Sequence, residues 1–205
     1  SCGDGRSVLI TAGNENALMS LGLERHVPGA DAAAREAIYG GNDATTVQAM
    51  RDAGALVVVP HTESRDPAYL ATIPVDAVEV YNLHAAIDPD IRQDSLGLDG
   101  FAPVAGILAF AKNGDEEPQP DLAILGFYED LPRYFELWDA LLLDRHLTGV
   151  AGTDVHQNTF AGMMRDGERG DSYRRLMRWI SNVALLESTA REPDLAALKA
   201  ALREG

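Results

Sequence analysis

Residues 43–63 read DATTVQAMRDAGALVVVPHTE and contain the clearest folding signal in the chain. The stretch begins at Asp43, a good helix-capping residue, and its helical part ends at Gly54, a common residue after a helix. An apolar run rich in Val then follows at 56–59, and Pro60 ends it. The stretch therefore predicts a helix followed by a buried strand, which is part of a βαβ unit.

Similar patterns on both sides of this stretch predict more strands and helices. Further strands are predicted at 8–10, 75–81 and 147–151. Further helices are predicted at 101–112, 131–145, 171–186 and 193–203, and a loop at 113–121. This alternation favours an α/β fold with a mostly parallel sheet. We expect one domain over residues 1–205, with its C-terminal helices beginning near residue 171.

The composition limits the partners and the metal sites that the chain can have. The 205 residues are 46% hydrophobic and 24% charged, which is typical of a globular chain with a buried core. The net charge of −15 argues against nucleic-acid binding, because such binding relies on Lys and Arg. The only cysteine, Cys2, excludes a cysteine-rich zinc site, so His and carboxylate groups must hold any metal. No apolar run is long enough to predict a transmembrane helix.

Polar side chains lie at or near the ends of three predicted strands. In parallel sheets the carboxyl ends of the strands are where reactive groups usually gather. The side chains at these ends are, in chain order, His61 and Glu63, then Glu79, Asn82 and His84, and finally Asp154 and His156. We therefore expect them to line one site.

The Asp-x-His motif at Asp154 and His156 projects two possible ligands toward the same rim. Imidazole together with carboxylate suits Zn²⁺, Mn²⁺ or Fe²⁺. The tripeptide recurs by chance in many proteins, so its weight comes from the glycines before it, Gly149 and Gly152, and from the other polar strand ends.

Structural roles stay open for several of these residues. His61 could donate a hydrogen bond to a loop carbonyl instead of acting as a ligand in the site. His84 fits a structural role and a role in the site equally well. Glu79 lies in an apolar strand, where it could face solvent, pair with a cation or line the site. The arginines at 174, 175 and 178 most simply form a solvated helix face, and phosphate binding is the alternative.

The order of these motifs resembles the PHP (polymerase and histidinol phosphatase) family of metal-dependent phosphoesterases. The matching stretches are Gly13-Asn14-Glu15 with Leu21-Gly22-Leu23, residues 57–63, Glu-Val-Tyr-Asn at 79–82 and Gly-x-Asp-x-His at 152–156. The resemblance implies a particular α/β fold: a distorted TIM-like (β/α)7 barrel, incomplete at its N-terminus. It also implies a cluster of divalent metals and hydrolysis of phosphate esters.

The resemblance also implies which residues bind metal and take part in catalysis. The expected ligands of the Zn, Mn or Fe ion are Glu15, His61, Asp154 and His156. Asp154, His156 and His61 are also the expected catalytic residues. The family's opening His-x-His motif and the Asp near it are absent from this sequence, and Ala17 stands near the place of another family histidine.

The remaining strand-end residues are expected to contact substrate. They are Glu63, Glu79, Asn82 and His84. The expected substrate is a small phosphate ester or a similar anion, cleaved by a metal-activated water. The expected partners include no nucleic acid, and the oligomeric state is left open. Two alternatives stay open: a catalytically inactive PHP-like barrel that acts as a binding module, and an amidohydrolase-like barrel that cleaves C–N or C–O bonds.

The cellular location is left open between two possibilities. The resemblance fits a bacterial cytoplasmic enzyme. Cys2, near the start of the given sequence, would instead fit a lipid anchor in the cell envelope.

Overall fold

The structure, a computed structural model, describes residues 9–103, 119–158, 161–186 and 194–204. Within these ranges the strands are β1 (Ala12–Glu15), β2 (Met19–Leu23), β3 (Leu56–Val59), β4 (Ala77–Asn82) and β5 (Thr148–Gly152). They form a single five-stranded sheet of the order β1-β2-β3-β4-β5. Strands β1 and β2 are antiparallel, as are β2 and β3, whereas β3 and β4 are parallel.

The predicted (β/α)7 barrel is wrong, because over the described residues the sheet is mixed and does not close. A parallel barrel needs a crossover helix between consecutive strands. Only residues 16–18 separate β1 from β2, so these strands form a hairpin. The Leu21-Gly22-Leu23 stretch of the resemblance lies inside β2, and the strand expected at 8–10 is not formed at Leu9 or Ile10. The α/β class itself is retained as a mixed α/β fold.

Helix α2 (Ala44–Asp52) and strand β3 confirm the helix and the buried strand predicted from residues 43–63. The βαβ unit expected there is wrong, because β2, the strand before the helix, is antiparallel to β3. The side chain of Asp43 accepts a hydrogen bond from the Thr46 amide at 2.8 Å, which caps α2. Gly54 has a φ of +92°, a conformation that favours glycine, just after the helix. All residues of β3 are buried.

The helices are α1 (Ala32–Tyr39), α2 (Ala44–Asp52), α3 (Pro67–Thr72), α4 (Leu83–Ile87), α5 (Pro89–Asp94), α6 (Pro132–Leu142), α7 (Tyr173–Leu176) and α8 (Leu195–Glu204), with 3-10 turns at Thr62–Ser64 and Pro120–Phe127.

Of the other predicted helices, two are confirmed and one is much shorter than expected. Helices α6 and α8 confirm those at 131–145 and 193–203. The helix expected at 171–186 is reduced to α7. One reason is that the Tyr128 hydroxyl donates to the Trp179 carbonyl at 2.7 Å, and Asn182 exchanges two hydrogen bonds with the Ala151 backbone. Residues 104–118 lie outside the described part, and with them most of the predicted 101–112 helix and 113–121 loop.

The chain divides into two compact units, each with its own apolar core. The first unit comprises Ser1–Glu79, Leu137–Val150 and Val183–Gly205. Its core cluster contains the buried residues Leu56, Val58 and Ala77. The second unit comprises Val80–Glu136 and Ala151–Asn182. One of its apolar clusters contains Leu83 and Phe127, which are both buried.

Three arginines of the second unit converge on Asp121. Arg174 donates two hydrogen bonds to this carboxylate, at 2.8 and 3.0 Å, and Arg178 and Arg175 donate one each. Arg175 is fully buried, and it also donates to both oxygens of Asp166, at 3.0 and 2.9 Å. The predicted solvated face is therefore found only at Arg174 and Arg178, whose side chains are 52% and 59% exposed.

The described helices are all too short or too polar to cross a lipid bilayer. This finding agrees with the absence of a long apolar run in the sequence.

Candidate metal centre

His84, Asp154 and His156 lie together in the second unit. His84 is in the first turn of α4, directly after β4, and the other two residues follow β5. The Nδ1 atom of His84 is 3.1 Å from Oδ2 of Asp154, and Nε2 of His156 is 3.7 Å from Oδ1 of the same carboxylate. The ring centroids of the two histidines are 4.2 Å apart. The carboxylate thus presents one oxygen to each imidazole.

The local backbone explains how Asp154 and His156 reach this arrangement. Asp154 has a φ of +46°, a left-handed conformation that is unusual for a non-glycine residue. Val155, between Asp154 and His156, packs against the apolar cluster that contains Leu83. Anchoring this apolar side chain in the core leaves the polar neighbours on either side to face the site. Asp154 and His84 are largely buried, whereas His156 is 38% exposed.

A second set of contacts orients the imidazole of His156. The Nδ1 atom of His156 donates a hydrogen bond to the side-chain Oδ1 of Asn158. The backbone N–H of Asn158 donates to the backbone carbonyl of His156 at 3.0 Å. A neutral imidazole that donates from Nδ1 has its lone pair on Nε2. That atom is the one that faces Asp154, so His156 is oriented as a metal ligand would be.

This set of donor atoms fits a divalent transition metal. One ligand atom from each of His84, Asp154 and His156 lies within 4.8 Å of the others. Two imidazoles and one carboxylate match the three protein ligands of catalytic zinc sites, and they also suit Mn²⁺ and Fe²⁺. The partial exposure of His156 is consistent with the open coordination position that a catalytic site requires.

In the first unit, His61 lies among the other predicted carboxylates. Its φ is +55°, and its Nε2 atom is 3.2 Å from Oε1 of Glu15. Its Nδ1 atom is 3.5 Å from Oε1 of Glu63, and its backbone amide donates to Oε2 of Glu79 at 2.8 Å. Glu63 and Glu79 are only 3% and 4% exposed. His61, Glu63 and Glu79 also offer ligand atoms close enough together to hold a metal.

Asn82 has a structural role in the second unit. It is fully buried, and its Oδ1 atom accepts a hydrogen bond from the Ala85 amide at 2.9 Å, which caps α4. The cap fixes the turn in which His84 lies. The substrate contact expected of Asn82 stays a prediction.

The predicted ligands thus belong to both units. Glu15 and His61 are in the first unit, and Asp154 and His156 are in the second. The structure places His84, which was expected to contact substrate, together with Asp154 and His156 in a group that could hold a metal. The sequence signal for this position of His84 is Asn82, a residue that favours the N-cap of a helix. A helix that begins after Asn82 has His84 in its first turn, directly after β4.

Two other features of the described residues are poorer candidates for the site. Asp121, Asp166 and Glu168 come close together, but arginine side chains pair with all three carboxylates. A cavity of about 390 Å³ in the first unit is lined by residues such as Arg25 and Tyr39, and it contains none of the predicted site residues.

Comparison of the chain with protein-family models, curated proteins and solved structures gives no match.

Proposed function

We propose that this chain is a metal-dependent hydrolase whose divalent ion is held by His84, Asp154 and His156. The observation that carries the proposal is the convergence of two imidazoles on the two oxygens of Asp154, at 3.1 and 3.7 Å. When bound, a Zn²⁺, Mn²⁺ or Fe²⁺ ion supplies Lewis acidity and makes hydroxide available as a nucleophile near neutral pH.

The side chains have separate tasks in this proposal. Asp154 supplies the negative charge and lies between the histidines, while Asn158 keeps the His156 lone pair on Nε2. Among described non-glycine residues, only His61 and Asp154 have a positive φ. Such strained conformations cluster at functional sites, where the surrounding structure holds them in place. The positive φ angles of His61 and Asp154 therefore support a catalytic role for these two residues. His156 is the third proposed catalytic residue.

A second group of the same chemistry supports a further metal-binding role in the first unit. Glu15 and Glu63 face opposite nitrogens of the His61 ring, and Glu79 fixes the His61 backbone. We propose that Glu15 and His61 also bind metal, as the resemblance to the PHP family implies. The metal content of Glu63 and Glu79 variants distinguishes two roles for these residues: loss of a substrate contact leaves the metal content unchanged, whereas loss of a cation ligand lowers it.

The proposed substrate class is a small phosphate ester. Its support is the Gly-x-Asp-x-His motif, here Gly152 to His156, and the Glu-Val-Tyr-Asn stretch at 79–82, both of which resemble the PHP phosphoesterases. In such a hydrolysis water attacks phosphorus, the bond to the ester oxygen breaks, and that oxygen leaves as an alcohol after gaining a proton. The negative charge of the ester would be balanced by the bound ion.

The proposal is tested by hydrolysis of p-nitrophenyl phosphate after metal removal. Protein stripped with EDTA is expected to be inactive and to regain activity with Zn²⁺, Mn²⁺ or Fe²⁺. The double variant Asp154→Ala/His156→Ala should lose at least about 100-fold in metal-restored activity. The matched control is His146→Ala, which removes an exposed histidine. Equal activity in the double variant and the control would disprove the mechanism, and binding of metal without hydrolysis would favour a non-catalytic binding module.

A further inference from the structure

The imidazole of His84 lies between two carboxylates of the second unit. Its Nδ1 atom is 3.1 Å from Oδ2 of Asp154, and its Nε2 atom is 3.8 Å from Oδ2 of Asp88. The His84 side chain is only 13% exposed, so solvent competes little for its ring nitrogens. Asp154 belongs to the proposed ligand group, whereas Asp88 does not.

The position of Asp88 is fixed by its other carboxylate oxygen. Its Oδ1 atom accepts hydrogen bonds from the amides of Asp90 and Ile91, at 3.0 and 3.1 Å, and so caps α5. The Asp88 amide donates to the His84 carbonyl at 2.8 Å. Three backbone contacts thus hold the residue in place while Oδ2 faces the imidazole.

Nδ1 of His84 is within hydrogen-bonding distance of Asp154, whereas Nε2 and the Asp88 carboxylate, 3.8 Å apart, are in ion-pair range only. We propose that Asp88 positions His84 for metal binding, because its carboxylate stabilises the ring proton on Nε2 when a metal takes Nδ1. This inference rests on the proposed function. A neutral imidazole has one N–H and one lone pair, so Nδ1 can bind a metal only when Nε2 holds the proton. A carboxylate at Nε2 favours that tautomer, orients the ring and makes the ligand nitrogen more basic.

The two histidines of the site then share one arrangement. On His156 the outer partner is Asn158, which accepts from Nδ1 and leaves Nε2 to face Asp154. On His84 the outer partner is Asp88, which faces Nε2 and leaves Nδ1 to face Asp154. Each ring thus turns its ligand nitrogen toward the shared carboxylate and its other nitrogen toward an acceptor.

Helix capping and histidine positioning can be separated by the choice of substitution. Asp88→Asn keeps an oxygen that can cap α5, because Asn is as good a cap as Asp, but removes the carboxylate charge next to His84. Asp88→Ser also keeps a capping oxygen and is too short to reach the ring. The control is Asp66→Asn in the first unit, since Asp66 caps α3 in the same way and also precedes a proline.

The experiment is a titration of the EDTA-stripped full chain with Zn²⁺ against a chromophoric chelator. We expect Asp88→Asn and Asp88→Ser to weaken Zn²⁺ binding about 10- to 100-fold, and Asp66→Asn to leave it unchanged. Wild-type affinity in both Asp88 variants would overturn the inference alone. A wild-type chain that binds no Zn²⁺ would overturn the proposed function as well.

A spectroscopic readout distinguishes positioning from a general structural effect. Long-range ¹H–¹⁵N spectra of the zinc-loaded protein report which nitrogen of each histidine ring holds a proton. We expect the wild-type His84 signal to show a protonated Nε2 and a metal-bound Nδ1, and this signature to be lost or shifted in Asp88→Asn. Weaker binding with an unchanged His84 signature would contradict the positioning role.

Discussion

Replacing His84 with alanine is expected to weaken Zn²⁺ binding by more than about 100-fold. Loss of an outer partner of a ligand already costs 10- to 100-fold in metal affinity, and loss of a ligand costs more. The variant would leave Asp154 and His156 alone in the second unit, and two ligands hold an ion poorly against water. The measurement is the Zn²⁺ dissociation constant of the stripped chain, obtained by competition with a chelator of known affinity.

His146→Ala is the matched control, because it removes an exposed imidazole from a loop before β5. Its affinity should equal that of the wild type. If His84→Ala also kept the wild-type affinity, His84 would return to the substrate-contacting role that the sequence suggested. The ion would then have to be held without the imidazole that lies 3.1 Å from Asp154.

Arg175→Met is expected to lower the free energy of unfolding by about 1.5–3 kcal/mol at pH 7, the contribution typical of hydrogen bonds to charged groups. Arg175 is fully buried and bonds to both Asp121 and Asp166, while Asp121 keeps Arg174 and Arg178 as partners in the variant. Arg178→Met is the control, because Arg178 also binds Asp121 but is 59% exposed, and exposed pairs contribute less than about 1 kcal/mol. Urea unfolding followed by tryptophan fluorescence measures both variants.

The effect of Arg175→Met should decrease in acid. Hydrogen bonds from Arg174 above all, together with the charge of Arg175, hold the pKa of Asp121 at about 2, although burial acts to raise it. A carboxylate with a lowered pKa stabilises the fold above its unfolded pKa, and this stabilisation is lost as the pH falls toward 2. An Arg175→Met effect that is the same at pH 7 and pH 2 would show that side-chain packing, not charge, is what matters.

The part of the fold that the sequence predicts well is the part governed by local signals. Asp43 and Gly54 mark the two ends of α2, and the Val-rich run after them forms the buried strand β3. These features depend on hydrogen bonds and backbone conformations within a few residues. Local chemistry is visible in a single sequence.

The features that the sequence does not predict depend on contacts between distant segments. The β1-β2 hairpin turns at residues 16–18 without the Gly or Pro that usually marks a turn. The helix expected at 171–186 competes with hydrogen bonds from Tyr128 and Ala151, which are far away in the chain. Tertiary contacts of this kind override local helix propensity.

The candidate site shows the same division. The Asp-x-His motif at Asp154 and His156 indicates metal chemistry directly, because ligand type and spacing are local properties. The addition of His84, which is 70 residues from Asp154 in the chain, requires the three-dimensional fold. The same is true of Asp88, whose carboxylate is divided between a helix cap and an imidazole.

The most direct test of the central claim is the metal content of the purified full chain, compared with that of the Asp154→Ala/His156→Ala variant. We predict at least about one Zn, Mn or Fe ion per chain in the wild type and the loss of about one ion in the variant. A wild-type chain without metal, or a variant that retains all of it, would contradict a metal centre built on Asp154 and His156.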